Sequence, residues 1–388
     1  MRTKKSSIII GGILLALLIA VVPLASACSP APSEEAPEES EAPEQVEEPE
    51  EAVEPAATEP EYEWRFASPW MDQTRNDSCA LICDLINYYS DGRVQVEFYP
   101  DGLLGPHDEE FHSMQDGDIE IGLFCPYGSL VPGGTINWMN WTVENWDEGA
   151  LAYSPDGGIL FELMTDAWAE VGAHMLCEYQ LGAYGLGNNV RPITTPDDFE
   201  NLKFRVGGTT SYIRCMENMG EGTGLTLELL PWVELYGALE KGVVDGCWNL
   251  WPTLVENRFY EVMDYYTALG FGWDTNQVLI NKELWDGLPA DIRDIITKAS
   301  RISEQRDYAA HRTSEIANKK ALLDAGMEIY TPTTEERELF REKANMPAIW
   351  DEVAKPYLDE HYPGQNMTQK LQDELARIKA DVEAMGRT

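Results

Sequence analysis

The chain predicts a two-lobed α/β fold, and three observations carry that expectation. From Trp64 onward strand-like runs alternate with helical ones, the pattern of a largely parallel sheet covered on both faces. The 388 residues exceed the roughly 250 at which one hydrophobic core tends to divide. The chain also passes twice through loose Gly-rich segments, Leu181-Gly182-Ala183-Tyr184-Gly185-Leu186-Gly187 and Leu269-Gly270-Phe271-Gly272-Trp273, which read as crossings between lobes. Two crossings make each lobe discontinuous. The expected segments are 63–183 with 272–311 for lobe I, and 184–271 with 312–388 for lobe II.

The N-terminus reads as an export signal. Met1-Arg2-Thr3-Lys4-Lys5 is basic and Ile8 to Leu24 is apolar, so residues 1–27 have the pattern of a signal peptide. They end at Ala25-Ser26-Ala27-Cys28, which resembles a lipobox with Ala25 where Leu is usual. Cys28 is the expected lipid-bearing residue; ordinary cleavage after Ala25-Ser26-Ala27 and a retained anchor helix are the alternatives. The expected location is therefore outside the cytoplasm, on a membrane-anchored chain. Residues 28–62 are Glu, Pro and Ala with almost nothing to bury, and like charges keep such a segment extended, so it reads as a tether.

The net charge of -40 has two sources. Residues 29–61 hold 13 Glu and no Lys, Arg or Asp, and the remaining excess of acid lies in the folded body. An acidic body is a poor partner for nucleic acid, and it holds an anionic ligand only where donors cluster locally.

Within the body, Glu63 to Ala67 reads as a strand and Asp72 to Tyr89 as a helix with Leu81, Ile82 and Leu85 on its stripe. Arg93 to Tyr99 and Ile119 to Phe124 read as strands, Ile159 to Val171 as a helix and His174 to Tyr179 as a strand with His174 packed in the core. Gln277 to Asn281 is a strand after the second crossing. Ala290 to about Asp324 is one long helix with Ile292, Ile295, Ile296, Ala299 and Ile302 as its buried stripe, and the tail from Thr334 is helical scaffolding. The Gly-rich segments match no phosphate loop or dinucleotide fingerprint, so no nucleotide cofactor is expected.

The chemistry concentrates between Lys203 and Asn249. Lys203-Phe204-Arg205-Val206 is a short strand with one Arg among apolar neighbours, followed by Gly207-Gly208. Leu230 to Gly242 reads as a helix opened by Pro231 and closed by Gly242. Val243 to Asn249 reads as a buried strand whose exit carries Trp248 and Asn249, at the edge where open α/β sheets bind ligands. A guanidinium forks two parallel bonds to a carboxylate, which Lys does not copy, and an amide donates and accepts together.

The run Asn201-Leu202-Lys203-Phe204-Arg205-Val206, then Glu234-Leu235-Tyr236-Gly237-Ala238-Leu239-Glu240-Lys241-Gly242-Val243-Val244-Asp245-Gly246, then Phe259-Tyr260-Glu261-Val262, resembles the solute-binding proteins of TRAP transporters, the DctP family. Supporting matches are Tyr99-Pro100-Asp101-Gly102, Gly117-Asp118-Ile119-Glu120 and Ile280-Asn281-Lys282 with Trp285 and Leu288-Pro289. The resemblance implies a periplasmic-binding-protein-like clamp whose long helix spans both lobes. It implies a receptor that closes on a small organic acid and delivers it to the TRAP membrane permease. Arg205 would bind the solute carboxylate and Asn249 would orient it. Trp248, Trp251, Trp232 and Trp273 are expected to shape the rest, each with core packing as the alternative, and Arg191 is a weaker second anion contact beside a plain solvent salt bridge. Gly185 stands where some relatives carry a further Arg, and Cys247-Trp248 stands where a metal-using subgroup has an acidic residue before Trp, so no metal is expected.

Two other readings stand beside this one. A sensor subunit of a signalling receptor shares the fold and differs in partner. An extracytoplasmic hydrolase or lyase is less well supported, since no G-x-S-x-G or H-E-x-x-H occurs, and the chain is not expected to be an enzyme. Cys79, Cys83, Cys125, Cys177, Cys215 and Cys247 are expected as buried thiols, with up to three disulfides as the alternative. A monomer is expected.

Overall fold

The computed structural model describes residues 59–386, so the signal segment, Cys28 and most of the tether lie outside the described residues. The described chain is mixed α/β with two sheets. The first has the order β2-β1-β3-β10-β4, built from β1 (Tyr62–Ala67), β2 (Val94–Tyr99), β3 (Ile121–Phe124), β4 (Ala173–Ala183) and β10 (Trp273–Asn281). The second has the order β11-β9-β5-β8-β6-β7, from β5 (Gly185–Asn188), β6 (Lys203–Val206), β7 (Thr226–Leu229), β8 (Gly246–Asn249), β9 (Tyr265–Thr267) and β11 (Glu328–Tyr330). Parallel pairs join β1 to β2 and β3, and β6 to β7 and β8. The strands flanking the two crossings break this rule, because β10 is antiparallel to β3 and β4, and β5 is antiparallel to β8 and β9. A chain that leaves a sheet and later returns re-enters it from the opposite end.

The helices are α1 (Gln73–Tyr89), α2 (His107–Gln115), α3 (Gly134–Asn137), α4 (Trp146–Ala152), α5 (Ile159–Glu170), α6 (Thr210–Met219), α7 (Leu235–Glu240), α8 (Trp251–Glu256), α9 (Lys282–Gly287), α10 (Ala290–Asp324), α11 (Thr334–Ala344), α12 (Met346–Ile349), α13 (Lys355–His361) and α14 (Met367–Ala384). Asp72 caps α1 by accepting from the backbone N–H of Arg75 at 3.0 Å. Its buried stripe is Cys79, Ile82, Cys83 and Ile86, while Leu81 and Leu85 are only partly covered. The stripe is thus rotated from the one expected, with two thiols among its buried residues. All six described cysteines are buried and unpaired.

Residues 230–242 do not form one helix. A 3-10 turn, Trp232–Glu234, runs into the short α7, and Gly242 at φ 68° closes it in the left-handed region that favours glycine. His174 is half-buried at the start of β4, stacked on Trp285 with ring centroids 4.2 Å apart, and burial lowers its pKa to about 4. It is a packing residue at the rim of the core.

Helix α10 covers the range expected, but its buried face changes character along its length. Ile292, Ile296 and Ala299 pack with α1 and β4 of the first sheet, whereas Ile295 and Ile302 are only partly covered. Ser303, Asp307 and His311 follow on the buried side, and Leu322 then joins Leu254 and Met263 beside the second sheet. Within 312–388, α11 packs on α6, while Tyr357 and Tyr362 bond Glu170 and Asp166 of α5, and α14 packs on α4. Glu144 ties this tail down by accepting from Arg337, Arg341 and Lys379. Among the described residues no helix is long and apolar enough to cross a membrane.

Candidate functional site

Strands β6 and β8 run parallel with Arg205 opposite Cys247. Side chains two apart on a strand share a face, so Arg205, Cys247 and Asn249 lie on one face, at the strands' C-terminal ends. Arg205 is 9% exposed. Its Nε donates to the Leu230 carbonyl at 3.0 Å, which fixes the plane of the fork, and its carbon lies 5.5 Å from the centre of the Trp232 ring. Among the described residues Nη1 and Nη2 have no hydrogen-bond acceptor and the guanidinium has no carboxylate partner. Burial pulls its pKa down, and Cys247, Tyr127 and Tyr184 are the titratable groups that act on it. A Cβ on Gly207 would sit 3.5 Å from Nη1, so a glycine here leaves the fork open on that side.

Asn249 is 2% exposed. Its Oδ1 accepts from the backbone N–H of Leu250 at 2.8 Å, and its Nδ2 has only the Cys247 sulfur at 3.9 Å. A buried amide nitrogen with so weak a partner is a donor in reserve, because buried N–H groups are normally satisfied. One buried cation with two unbonded Nη atoms and one weakly partnered amide donor, counted among the described residues, therefore share a sheet edge. Donors of these two kinds suit a carboxylate, to which a charged hydrogen bond contributes roughly 1.5–3 kcal/mol.

The indoles divide. Trp232 lies against Arg205, with Phe259 5.5 Å behind it. Trp251 begins α8 and packs on Tyr266 at 4.6 Å, next to the site but without a contact to Arg205. Trp248 points to the other face of β8, 5.1 Å from the Tyr212 ring and inside the core. Trp273 lies within β10, which begins four residues earlier than its expected start at Gln277. It is 2% exposed, packs on Trp146 at 5.0 Å and donates to Gln180. Arg191 is not brought to Arg205: it follows β5, whose end pairs with the start of β8, and it donates to the Glu200 carbonyl at the opposite edge of the sheet. Arg191 thus pins a loop.

Sequence reasoning missed the groups on the first sheet and at the crossing that act on Arg205. Tyr127 follows β3, Tyr184 sits at the first crossing, and both act electrostatically on Arg205 and on Asp274 of β10. Asp274 is 6% exposed, and burial raises its pKa to about 6 against the opposing charge of Arg75 and a hydrogen bond from Tyr184. The one available signal was an aspartate directly after the Gly-rich crossing, opening a polar run Asp274-Thr275-Asn276-Gln277. No group of three or more His, Cys, Asp or Glu suited to a metal occurs among the described residues.

Comparison with known proteins fits this geometry. The family of bacterial extracellular solute-binding proteins, family 7 (DctP), matches residues 71–356. The C4-dicarboxylate-binding periplasmic protein DctP of Rhodobacter capsulatus is 31% identical over 296 residues, covering 74% of this chain and 83% of that one. In structure the chain resembles the sugar acid binding protein DctPAm of Advenella mimigardefordensis in complex with galactonate, with a TM-score of 0.71 at 24% identity over 82% of this chain and 99% of that one. It likewise resembles a TRAP periplasmic solute-binding protein of Chromohalobacter salexigens with bound D-glucuronate, with a TM-score of 0.70, 24% identity and the same two coverages. With both its fold and most of its length accounted for in this way, the chain belongs to the DctP family, the extracytoplasmic receptors that bind organic acids for TRAP transporters.

Proposed function

We propose that Arg205 anchors the carboxylate of the solute, that Asn249 orients it, and that Trp232 forms the wall beside the guanidinium. The observation that carries this reading is the buried guanidinium of Arg205, held by one backbone bond and without a carboxylate partner among the described residues. In so acidic a chain, an unpaired buried Arg is costly unless a ligand completes it. The crossings at Ala183-Tyr184 and 268–272 act as the hinge between the lobes assigned above, and closure excludes water and strengthens the bonds to the solute. The closed monomer then docks on the TRAP permease, held at the membrane through a lipid on Cys28, and it has no catalytic role of its own.

The test is a thermal-shift screen of small organic acids, because a ligand that binds only the native state raises the melting temperature. Arg205→Ala is expected to abolish the shift of every hit while the unliganded melting temperature stays close to that of the parent. Arg205→Lys is expected not to restore it, since an ammonium lacks the planar fork. Full-strength binding in Arg205→Ala refutes the site.

A further inference from the structure

The charges around the cleft are not all of one kind. The second buried guanidinium, Arg75 on α1, is already engaged: its Nε lies 3.3 Å from Asp72 Oδ2, its Nη1 donates to the Asn276 side chain, and it stacks over Trp70 at 5.2 Å. Arg75 therefore has its charge met by Asp72 and one arm of its fork taken by Asn276, unlike Arg205. Asp274, two residues before Asn276 on β10, is the group left over. Its Oδ1 is buried with no hydrogen-bond partner among the described residues, and the Tyr184 hydroxyl, which also acts on Arg205, favours the charged form of the same carboxyl. Orphaned acceptors at this depth are rare in native proteins and call for a donor. Burial raises the carboxyl to about 6, while Arg75 and Tyr184 favour its charged form.

We propose that the solute is a monocarboxylate whose far end carries a hydrogen-bond donor, a hydroxyl or an ammonium group, received by Asp274 Oδ1, and that dicarboxylates are rejected. This rests on Arg205 as the carboxylate anchor. A second carboxylate on the ligand would meet Asp274 in a site of low dielectric, where like charges repel strongly and neither oxygen has a proton to share. A hydroxyl or ammonium in the same place satisfies the orphaned oxygen. Selectivity of this sort comes from the group that penalises the wrong ligand as much as from the one that holds the right ligand.

The experiment is calorimetric titration of the mature protein with length-matched acids: butyrate, 4-hydroxybutyrate, 4-aminobutyrate and succinate, then the five- and six-carbon sets of the same four kinds. The expected result is that a donor-bearing acid binds at least tenfold more tightly than the plain acid and the diacid of its own length. The hydroxyl and ammonium arms tell which donor is used. A diacid that equals or exceeds its donor-bearing counterpart overturns the proposal, as does equal binding of plain and donor-bearing acids. Asp274→Asn is expected to weaken the donor-bearing acid tenfold or more and to strengthen the diacid; an unchanged ranking overturns the proposal, and the ranking on the parent protein decides alone if the variant does not fold. Arg205→Ala separates the two claims. If it loses every ligand while the parent prefers diacids, only the role of Asp274 fails. If it keeps them, or if no acid binds the parent at millimolar concentration, the anchor fails and this proposal with it.

Discussion

Removing the His311 imidazolium should expose how the long helix is fastened. His311 Nδ1 lies 3.1 Å from Asp307 Oδ2 and Nε2 lies 3.6 Å from Asp72 Oδ2, with all three side chains 0 or 1% exposed. Ser78 donates to the other Asp307 oxygen at 2.8 Å, so α10 is bound to α1 through a buried polar cluster. Burial works against the charged imidazole, but Asp307 and then Asp72 outweigh it and raise its pKa from 6.5 to about 10. His311→Gln keeps most of the volume and deletes the charge, leaving two buried carboxylates with one fewer counterion, a loss of about 3–5 kcal/mol. The sign with pH follows from linkage. Because the folded value lies above the unfolded one, the stabilisation is complete below pH 6.5, declines as pH rises and is gone above about 10. Glu256, raised to about 8 by burial and by Asp72 and held down in part by His311 itself, adds a loss over the lower part of that range that is larger in the variant, so the shrinkage that reports His311 is read above about pH 8. The assay is urea unfolding of both proteins from mildly acidic to alkaline pH. A difference below about 1 kcal/mol in mild acid, or one that does not shrink with rising pH, refutes the account.

Three further outcomes follow from the packing. Gly272→Ala would place a Cβ 2.0 Å from the Tyr212 hydroxyl oxygen, so it should cost about 1–3 kcal/mol in urea unfolding; an unchanged midpoint refutes the close approach. Glu144→Gln removes the charge and one of the two acceptor oxygens shared by Arg337, Arg341 and Lys379, and should destabilise by about 1–3 kcal/mol. The Glu144 carboxyl is raised by burial and lowered further by Arg341, Lys379 and Arg337, to a net value below 4.5, so its contribution is present above pH 4.5 and lost as pH falls; equal acid stability of parent and variant refutes it. In a chain carrying Cys28→Ala, the six remaining thiols, all buried and with pKa values raised by burial, should react with a thiol reagent only on unfolding, and fast native reaction at any of them refutes that placement.

What the sequence disclosed and what it withheld have physical reasons. Helix α10 was legible from end to end because Pro289 and a regular apolar stripe mark it, yet its polar half was not, since the partner of His311 is Asp72, 239 positions earlier in the chain. Arg205 stood out because a cation inside a short apolar strand has few structural uses. Trp273 misled because it sits in a Gly-rich crossing by composition but inside a fully buried strand in space. Arg75 and Asp274 were invisible as a pair, for each looks like an ordinary surface charge until α1 and β10 are laid side by side.

The place of strand β10 in its sheet sets the order in which the molecule comes into being. That strand lies between β3 and β4 in the first sheet, although β3 ends at Phe124, β4 ends at Ala183 and β10 begins only at Trp273. A chain threaded through a membrane from its N-terminus therefore emerges with a gap in the middle of that sheet, exposing two unpaired edges until about ninety more residues have followed. Truncations that stop before Trp273 should yield no folded first lobe and should aggregate, and nascent-chain folding should begin with the second sheet, whose strands from β5 to β9 lie within one unbroken stretch.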